Sequence, residues 1–281
     1  MPSTTRAKPL SRYDLYRACV QDPPMMVRFV QAVHGGDPAK PLALREDFSG
    51  PGSLSGAWVD LGPKHTAIAV DLDPEPLSHV RRHPRVKTRA MDVRACRDKA
   101  DCVALFNFAV CELHERKVLV GYFKHLAACL KRGGVIVMDI FGGLSACTPS
   151  VTRATRRLPD GSPVKYSWRT DAVHAATGMI ECSMDFRLTA PSQRFTRGGK
   201  SEAKTANDRT WTRAFSYNWR HWSIAELRDA LADAGFGQVD LYDRLGDAVD
   251  GDGRLYVRPL DASETELGDD WVAYLAARRP G

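Results

Sequence analysis

The residues best suited to chemistry stand in the first third of the chain. Glu46 precedes the turn Ser49-Gly50-Pro51-Gly52, Asp71 follows nineteen residues beyond Gly52, and Asp92 closes the next apolar run. Glycines let a backbone approach a ligand where a Cβ would stand in the way. A helix starting at Ser53 would aim its free N–H groups into the turn. One acid falls where a ribose-binding carboxylate belongs, so the set fits a nucleotide-like cofactor, although an ordinary strand, turn and helix would share part of the pattern. Glu112 and His114 form a second group. Either can exchange a proton, or both can simply cap the helix that follows.

These acids need strands to carry them. Pro41–Leu44, Lys64–Asp71, Val86–Asp92, Asp101–Val110 and Val135–Gly143 read as five short strands, and helical patterns separate them at Ser53, Asp73 and Glu115–Lys131. Alternation of this kind predicts a parallel sheet with right-handed crossovers. Ligands then bind beyond the carboxyl ends of the strands, which is where Glu46, Asp71 and Asp92 fall. Before the sheet, Tyr13–Val33 reads as two short helices broken at Asp22-Pro23-Pro24, ended by Gly35-Gly36-Asp37-Pro38. Residues 1–10 read as a frayed polar lead.

From 144 to 218 the alternation stops. Residues 164–188 read as two strands around Ala175–Gly178, Ala190–Arg209 as a polar mobile loop, and residues 210–222 as a strand rich in aromatics. Ser223 and Glu226 form a capping box for a helix ending at Gly235. Gln238–Tyr242 and Asp270–Arg278 supply a sixth and a seventh strand.

With 281 residues, 43% hydrophobic and 26% charged, the chain fits one large α/β domain carrying an insertion. No run nears the roughly 18 apolar residues a membrane span needs. The opening MPSTTRAKPLSRYD lacks an apolar core, so no secretory leader is expected. Seven scattered cysteines without a C-x-x-C pair point to a reducing compartment, read as the cytoplasm, and to no metal. Net charge is +6, with cationic stretches at 153–169 and 194–213 and an acidic one at 240–270. The cations could attract an acidic substrate or nucleic acid, or form a solvated surface.

These motifs resemble those of class I S-adenosylmethionine-dependent methyltransferases, from roughly Tyr13 to Gly143 and again from Trp222 to the end. The resemblance implies a seven-stranded, mostly parallel, doubly wound sheet whose last strand runs antiparallel beside the sixth. It divides the chain into a helical lid (1–40), a cofactor domain (41–143 and 219–281) and an inserted antiparallel layer (144–218). S-adenosyl-L-methionine is the implied cofactor. Glu46, Gly50 and Gly52 match the family's first-strand acid and G-x-G turn. Asp71, with Leu72 beside it, matches the ribose-binding acid, and Asp92 with the backbone of Val93 the adenine site. Asn107 and Phe108 match the methionine end. Phe48 stands where the family has a glycine, and Pro51 stiffens the loop. Arg45 is either a partner for the cofactor's carboxylate or half of a structural ion pair. Tyr13 and Tyr16 are lid or packing residues. Trp168, Arg169, Tyr217 and Trp219 are expected to wall the acceptor site, whereas Trp222 is read as core.

The tract from Arg213 to Phe236 is similar to segments of small-molecule N-methyltransferases, and a small-molecule acceptor, with nitrogen as the methylated atom, is the expected partner. A nucleic-acid or protein substrate is the alternative, although no Asn-Pro-Pro-Tyr motif follows strand four. A nicotinamide-dependent oxidoreductase shares the glycine turn and ribose acid and stays open, as do a non-catalytic cofactor-binding module and a homodimer.

Overall fold

A computed structural model describes residues 10–35, 40–188, 209–251, 254–261, 263 and 266–279. All but the last residue of the expected frayed lead, the turn at 36–38 and nearly all of the expected 190–209 loop lie outside them. Two helices come first, α1 (Arg12–Val20) and α2 (Pro23–His34). Ser11 and Asp14 cap α1 reciprocally, and Asp22 caps α2 with prolines in its first turn, where a missing N–H costs nothing.

The core then alternates as expected: β1 (Ala43–Asp47), α3 (Ser53–Leu61), β2 (Thr66–Asp71), α4 (Pro74–Leu77), β3 (Val86–Ala90), β4 (Ala100–Leu105), a 3-10 turn (Ala109–Glu112), α5 (Arg116–Cys129) and β5 (Leu130–Gly143). After α6 (Leu144–Cys147) come four strands, β6 (Ser150–Arg157), β7 (Pro163–His174), β8 (Met179–Leu188) and β9 (Arg209–Arg220). The chain ends with α7 (Ile224–Asp233), β10 (Val239–Tyr242), a small hairpin of β11 (Ala248–Val249) and β12 (Leu255–Tyr256), and β13 (Asp270–Arg278).

Seven strands form one sheet in the order β10-β13-β5-β4-β1-β2-β3. β3, β2, β1, β4 and β5 are mutually parallel, and β13 runs antiparallel between β5 and β10. The last strand therefore lies beside the sixth, as expected, and also fills the gap between it and the fifth. Sequence neighbours part company between β1 and β4, so this is the switch point at which such sheets bind ligands.

β4 and β5 are apolar on both faces because helices cover both sides. On one side α5 and α7 bury Leu119, Phe123, Leu126, Leu227 and Leu231; on the other α2 and α3 bury Phe29, Val30, Leu54 and Trp58. A second, four-stranded antiparallel sheet has the order β6-β7-β8-β9. It contains one strand more than the sequence pattern shows, since β6 (SVTRATRR) is an exposed edge with no apolar face. α1 packs on this sheet: Leu15, Tyr16 and Cys19 meet Val164, Met184 and Phe186. Among the described residues no helix is long and apolar enough to cross a membrane.

Candidate active site

A cavity of about 720 Å³ opens at the switch point. β1 brings the glycine turn to its wall. Gly50 and Gly52 both have positive φ, and so does Phe48, at 53°. Phe48 thus adopts a glycine-like backbone with a phenylalanine side chain, a strain of about 1–2 kcal/mol. Its ring sits at the cavity wall and meets Tyr122 edge-on. The turn is held by three hydrogen bonds: Ser49 N–H to Val70 O, Gly52 N–H to Ser49 O, and Gly50 N–H to Asp71 Oδ2 at 2.7 Å.

β2 and β3 supply the rim. Asp71 lies at the cavity and also accepts the Asp73 N–H at 3.0 Å. Burial outweighs these donors and raises its pKa. Leu72 beside it is 72% exposed and projects at the cavity, an apolar surface placed for a ring to cover. Asp92 carries a salt bridge from Arg94, which lowers its pKa. Val93 also lines the cavity, with its carbonyl already accepting from Arg45.

β4 ends earlier than expected, at Leu105, because the next residues turn left-handed: Asn107 has φ 62° and Phe108 φ 63°. Asp139 of β5 explains how two non-glycine residues hold that shape. Its oxygens accept the Asn107 N–H at 2.9 Å and the Phe108 N–H at 2.7 Å. Asp139 is 4% exposed, and burial pushes its pKa up to about 7. The turn delivers Asn107 to the cavity and starts the 3-10 turn that ends in Glu112.

Glu112 opens onto the cavity, and its Oε1 accepts the Trp219 Nε1–H at 2.7 Å. Surrounding protein desolvates it and raises its pKa. His114 lines the same end. The far wall belongs to α1 and β9, through Arg12, Tyr13, Tyr16, Phe215, Tyr217 and Trp219. Tyr217 stacks on Trp219 with centroids 4.3 Å apart. Ser49 Oγ and Gln21 Oε1 are buried at this cavity with no hydrogen-bond partner among the described residues. Buried polar atoms are nearly always paired, so the cavity is shaped for a ligand with polar atoms of its own.

No protein-family model and no curated protein matches the sequence. Solved structures match the fold. An S-adenosylmethionine-dependent methyltransferase from Clostridium acetobutylicum ATCC 824 matches with a TM-score of 0.64 at 14% identity, over 96% of this chain and 98% of that one. CalS10, an amino pentose methyltransferase from Micromonospora echinaspora solved with SAM bound, gives 0.64 at 17% identity over 98% and 99%. The sugar N-methyltransferase KedS8 from Streptoalloteichus sp ATCC 53650 gives 0.63 at 15% identity over 100% and 98%. This chain has the class I methyltransferase fold.

Within the methyltransferase fold, six expected site residues lie elsewhere. Arg45 is fully buried and four of its five N–H donors are taken: two bonds reach Asp47, at 2.6 and 2.8 Å, and two reach the carbonyls of Cys96 and Val93. Of its two readings, the structural ion pair is the one present. Glu46 turns to the start of α3 and accepts from Leu54 N, Ser55 N and Ser55 Oγ. The helix start is thereby capped from within and offers those N–H groups to no ligand. Gly52 packs behind the turn, close to Val80. Phe108 points into the aromatic layer against Phe141, and Trp168 stands in that layer beside Trp219. Arg169 pairs with Asp185 away from the cavity.

The Ser49 side chain, Gln21, Phe215 and Asp139 also belong to the site, although no sequence motif marks them. An acid inside the apolar run VIVMDIF was the available signal for Asp139. The cations Arg153, Lys165 and Arg187 border a separate groove of about 450 Å³ on the inserted sheet.

Proposed function

We propose that this chain is an S-adenosyl-L-methionine-dependent methyltransferase that methylates a nitrogen of a small molecule. The observation that carries the reading is one cavity that brings two groups of residues together. The glycine turn and the ends of β2 and β3 supply Gly50, Asp71, Leu72, Asp92 and Val93, and the 3-10 turn, α1 and β9 supply Glu112, Tyr16, Tyr217 and Trp219, read as the acceptor end. The unpaired Ser49 and Gln21 oxygens of the same cavity suit a polar ligand. When bound, the cofactor supplies an electrophilic methyl carbon on a sulfonium. Asp71 would accept the ribose hydroxyls, Leu72 cover the adenine face, and Asp92 with the Val93 N–H meet its edge. Asn107 would stand at the methionine end. Tyr16 and Tyr13 of α1 close the cavity from above.

The enzyme's work is then mainly alignment, which can be worth an effective molarity of about 10⁵–10⁸ M. Glu112 adds a proton acceptor. An amine reaches the site as an ammonium, attracted by a carboxylate between aromatic faces. Its proton would pass to Glu112, freeing the nitrogen lone pair, and the new C–N bond would form as the methyl C–S bond breaks and the sulfur leaves as a neutral thioether. KedS8, a sugar N-methyltransferase, supports nitrogen over oxygen, and CalS10, an amino pentose methyltransferase, accords with an amine-bearing acceptor. The inserted sheet and α1 shape the acceptor end. Seven free cysteines, six of them buried, accord with a reducing compartment such as the cytoplasm.

Incubating the protein with methyl-labelled S-adenosylmethionine and panels of amines, alcohols and thiols tests the assignment. Label on amines is the expected outcome. Label confined to alcohols or thiols overturns the nitrogen assignment, and no labelled product with any panel overturns the enzymatic one.

A further inference from the structure

We infer that Trp219 is a positioning residue: its indole N–H fixes the Glu112 carboxylate at the acceptor end, so that the inserted sheet completes the catalytic centre. This inference rests on the reading of Glu112 as proton acceptor. The bond joins β9 to the 3-10 turn across 107 residues of sequence. It is the only hydrogen bond that the Glu112 side chain makes among the described residues. Without it, a side chain with three torsions would sample many positions in an open cavity.

The indole itself is immobilised. Trp219 is 2% exposed, stacks on Tyr217, and touches Trp168, Phe108 and Phe141 with centroids 5.7 to 6.4 Å away. Phe108 belongs to the left-handed turn pinned by Asp139. One aromatic cluster thus ties the donor's position to the turn that leads into Glu112. Trp219, expected from the sequence to touch substrate, holds the group that would accept its proton.

The bond has a readable consequence. A donated N–H favours the ionised carboxylate. Around Glu112, burial and Asp71 at the end of β2 raise its pKa, while Trp219 and His114 lower it. Tyr217 of β9 and Cys111 of the same 3-10 turn also interact with it, and burial holds both neutral. A base must be deprotonated to act, so activity rises with pH through the Glu112 pKa. Removing the N–H moves that rise to higher pH.

Trp219→Phe keeps an aromatic ring and deletes the donor. The acidic limb of kcat/KM is expected to move up by about one pH unit, a tenfold loss at pH values below the limb, since a hydrogen bond to a charged group is worth about that much. Affinity for S-adenosylmethionine stays unchanged. Glu112→Gln is expected to abolish the limb. If Glu112→Gln abolishes it and Trp219→Phe leaves it in place, the positioning role is wrong and the proton-acceptor reading survives. If Glu112→Gln retains the limb, the proton-acceptor reading itself fails. The unmodified protein gives a measurement independent of how Trp219→Phe folds. One indole N–H resonance should titrate with the midpoint of the activity limb and cease to titrate in Glu112→Gln; no titrating indole resonance overturns the inference.

Discussion

Gly50 and Gly52 are both left-handed, at φ 51° and 63°, yet an added methyl would meet different surroundings. At Gly50 nothing lies within 4 Å and the residue borders the cavity. At Gly52 the new Cβ would come within 2.8 Å of Val80 and 3.4 Å of Ala69. Gly50→Ala should therefore cost only the left-handed strain, about 1–2 kcal/mol, while weakening cofactor binding. Gly52→Ala should carry that strain plus a clash, for a total loss of about 2–4 kcal/mol. Thermal melts beside calorimetry separate the two, and equal stability losses would contradict the distinction. The sequence made both glycines visible but not this difference, because Val80 reaches Gly52 from another element. Arg45 illustrates the same limit. Its alternatives could be separated only by locating Cys96, Val93 and Tyr122, which closes on Asp47 with a 2.6 Å bond.

Elements were most legible where the signal is local. The Ser223/Glu226 capping box is present, and α7 begins where it predicts. The end of β4 was misplaced because the apolar run continues to Val110 while the backbone turns at Asn107 on account of Asp139, thirty-two residues away. Asp139 carries a pH signature at this scale. Its folded pKa, about 7, lies above the ordinary 3.8. Between those values the folded chain keeps a proton that the unfolded chain has released. Stability from this group is fully present below about pH 4 and is lost as pH rises through 7. The urea midpoint should therefore fall from pH 5.5 to pH 8, and Asp139→Asn should flatten that fall. The asparagine also forfeits one of two acceptors, costing about 1–3 kcal/mol. An unaltered pH slope in the variant would show that Asp139 titrates normally.

For the whole molecule, the alternation, the strands of the main sheet and the presence of an inserted antiparallel layer could be read from the sequence. β6 could not, having no apolar face, and neither could the packing of α1 on the inserted sheet, which depends on Leu15, Val164 and Phe186 meeting across the fold. That packing makes helix and sheet one cover over the cavity, tied to the core by the Arg12–Glu75 bridge. Both partners of the bridge are substantially exposed, so Glu75→Gln should change stability by less than about 1 kcal/mol. Arg153 and Lys165 border the other groove, and the cavity's own cations, Arg12 and Arg94, are paired with acids. The acceptor's KM should then vary little with salt, whereas a nucleic-acid substrate would lose affinity steeply.

Which cofactor the cavity takes matters most, since a glycine turn and a ribose-binding acid also serve nicotinamide enzymes. Calorimetry with S-adenosylmethionine and with NADH, on the unmodified chain and on Asp71→Ala, tests that directly. The expected result is binding of S-adenosylmethionine, about 10- to 100-fold weaker in Asp71→Ala for the loss of a charged hydrogen-bond acceptor, and no binding of NADH. Tight NADH binding without binding of S-adenosylmethionine would contradict it.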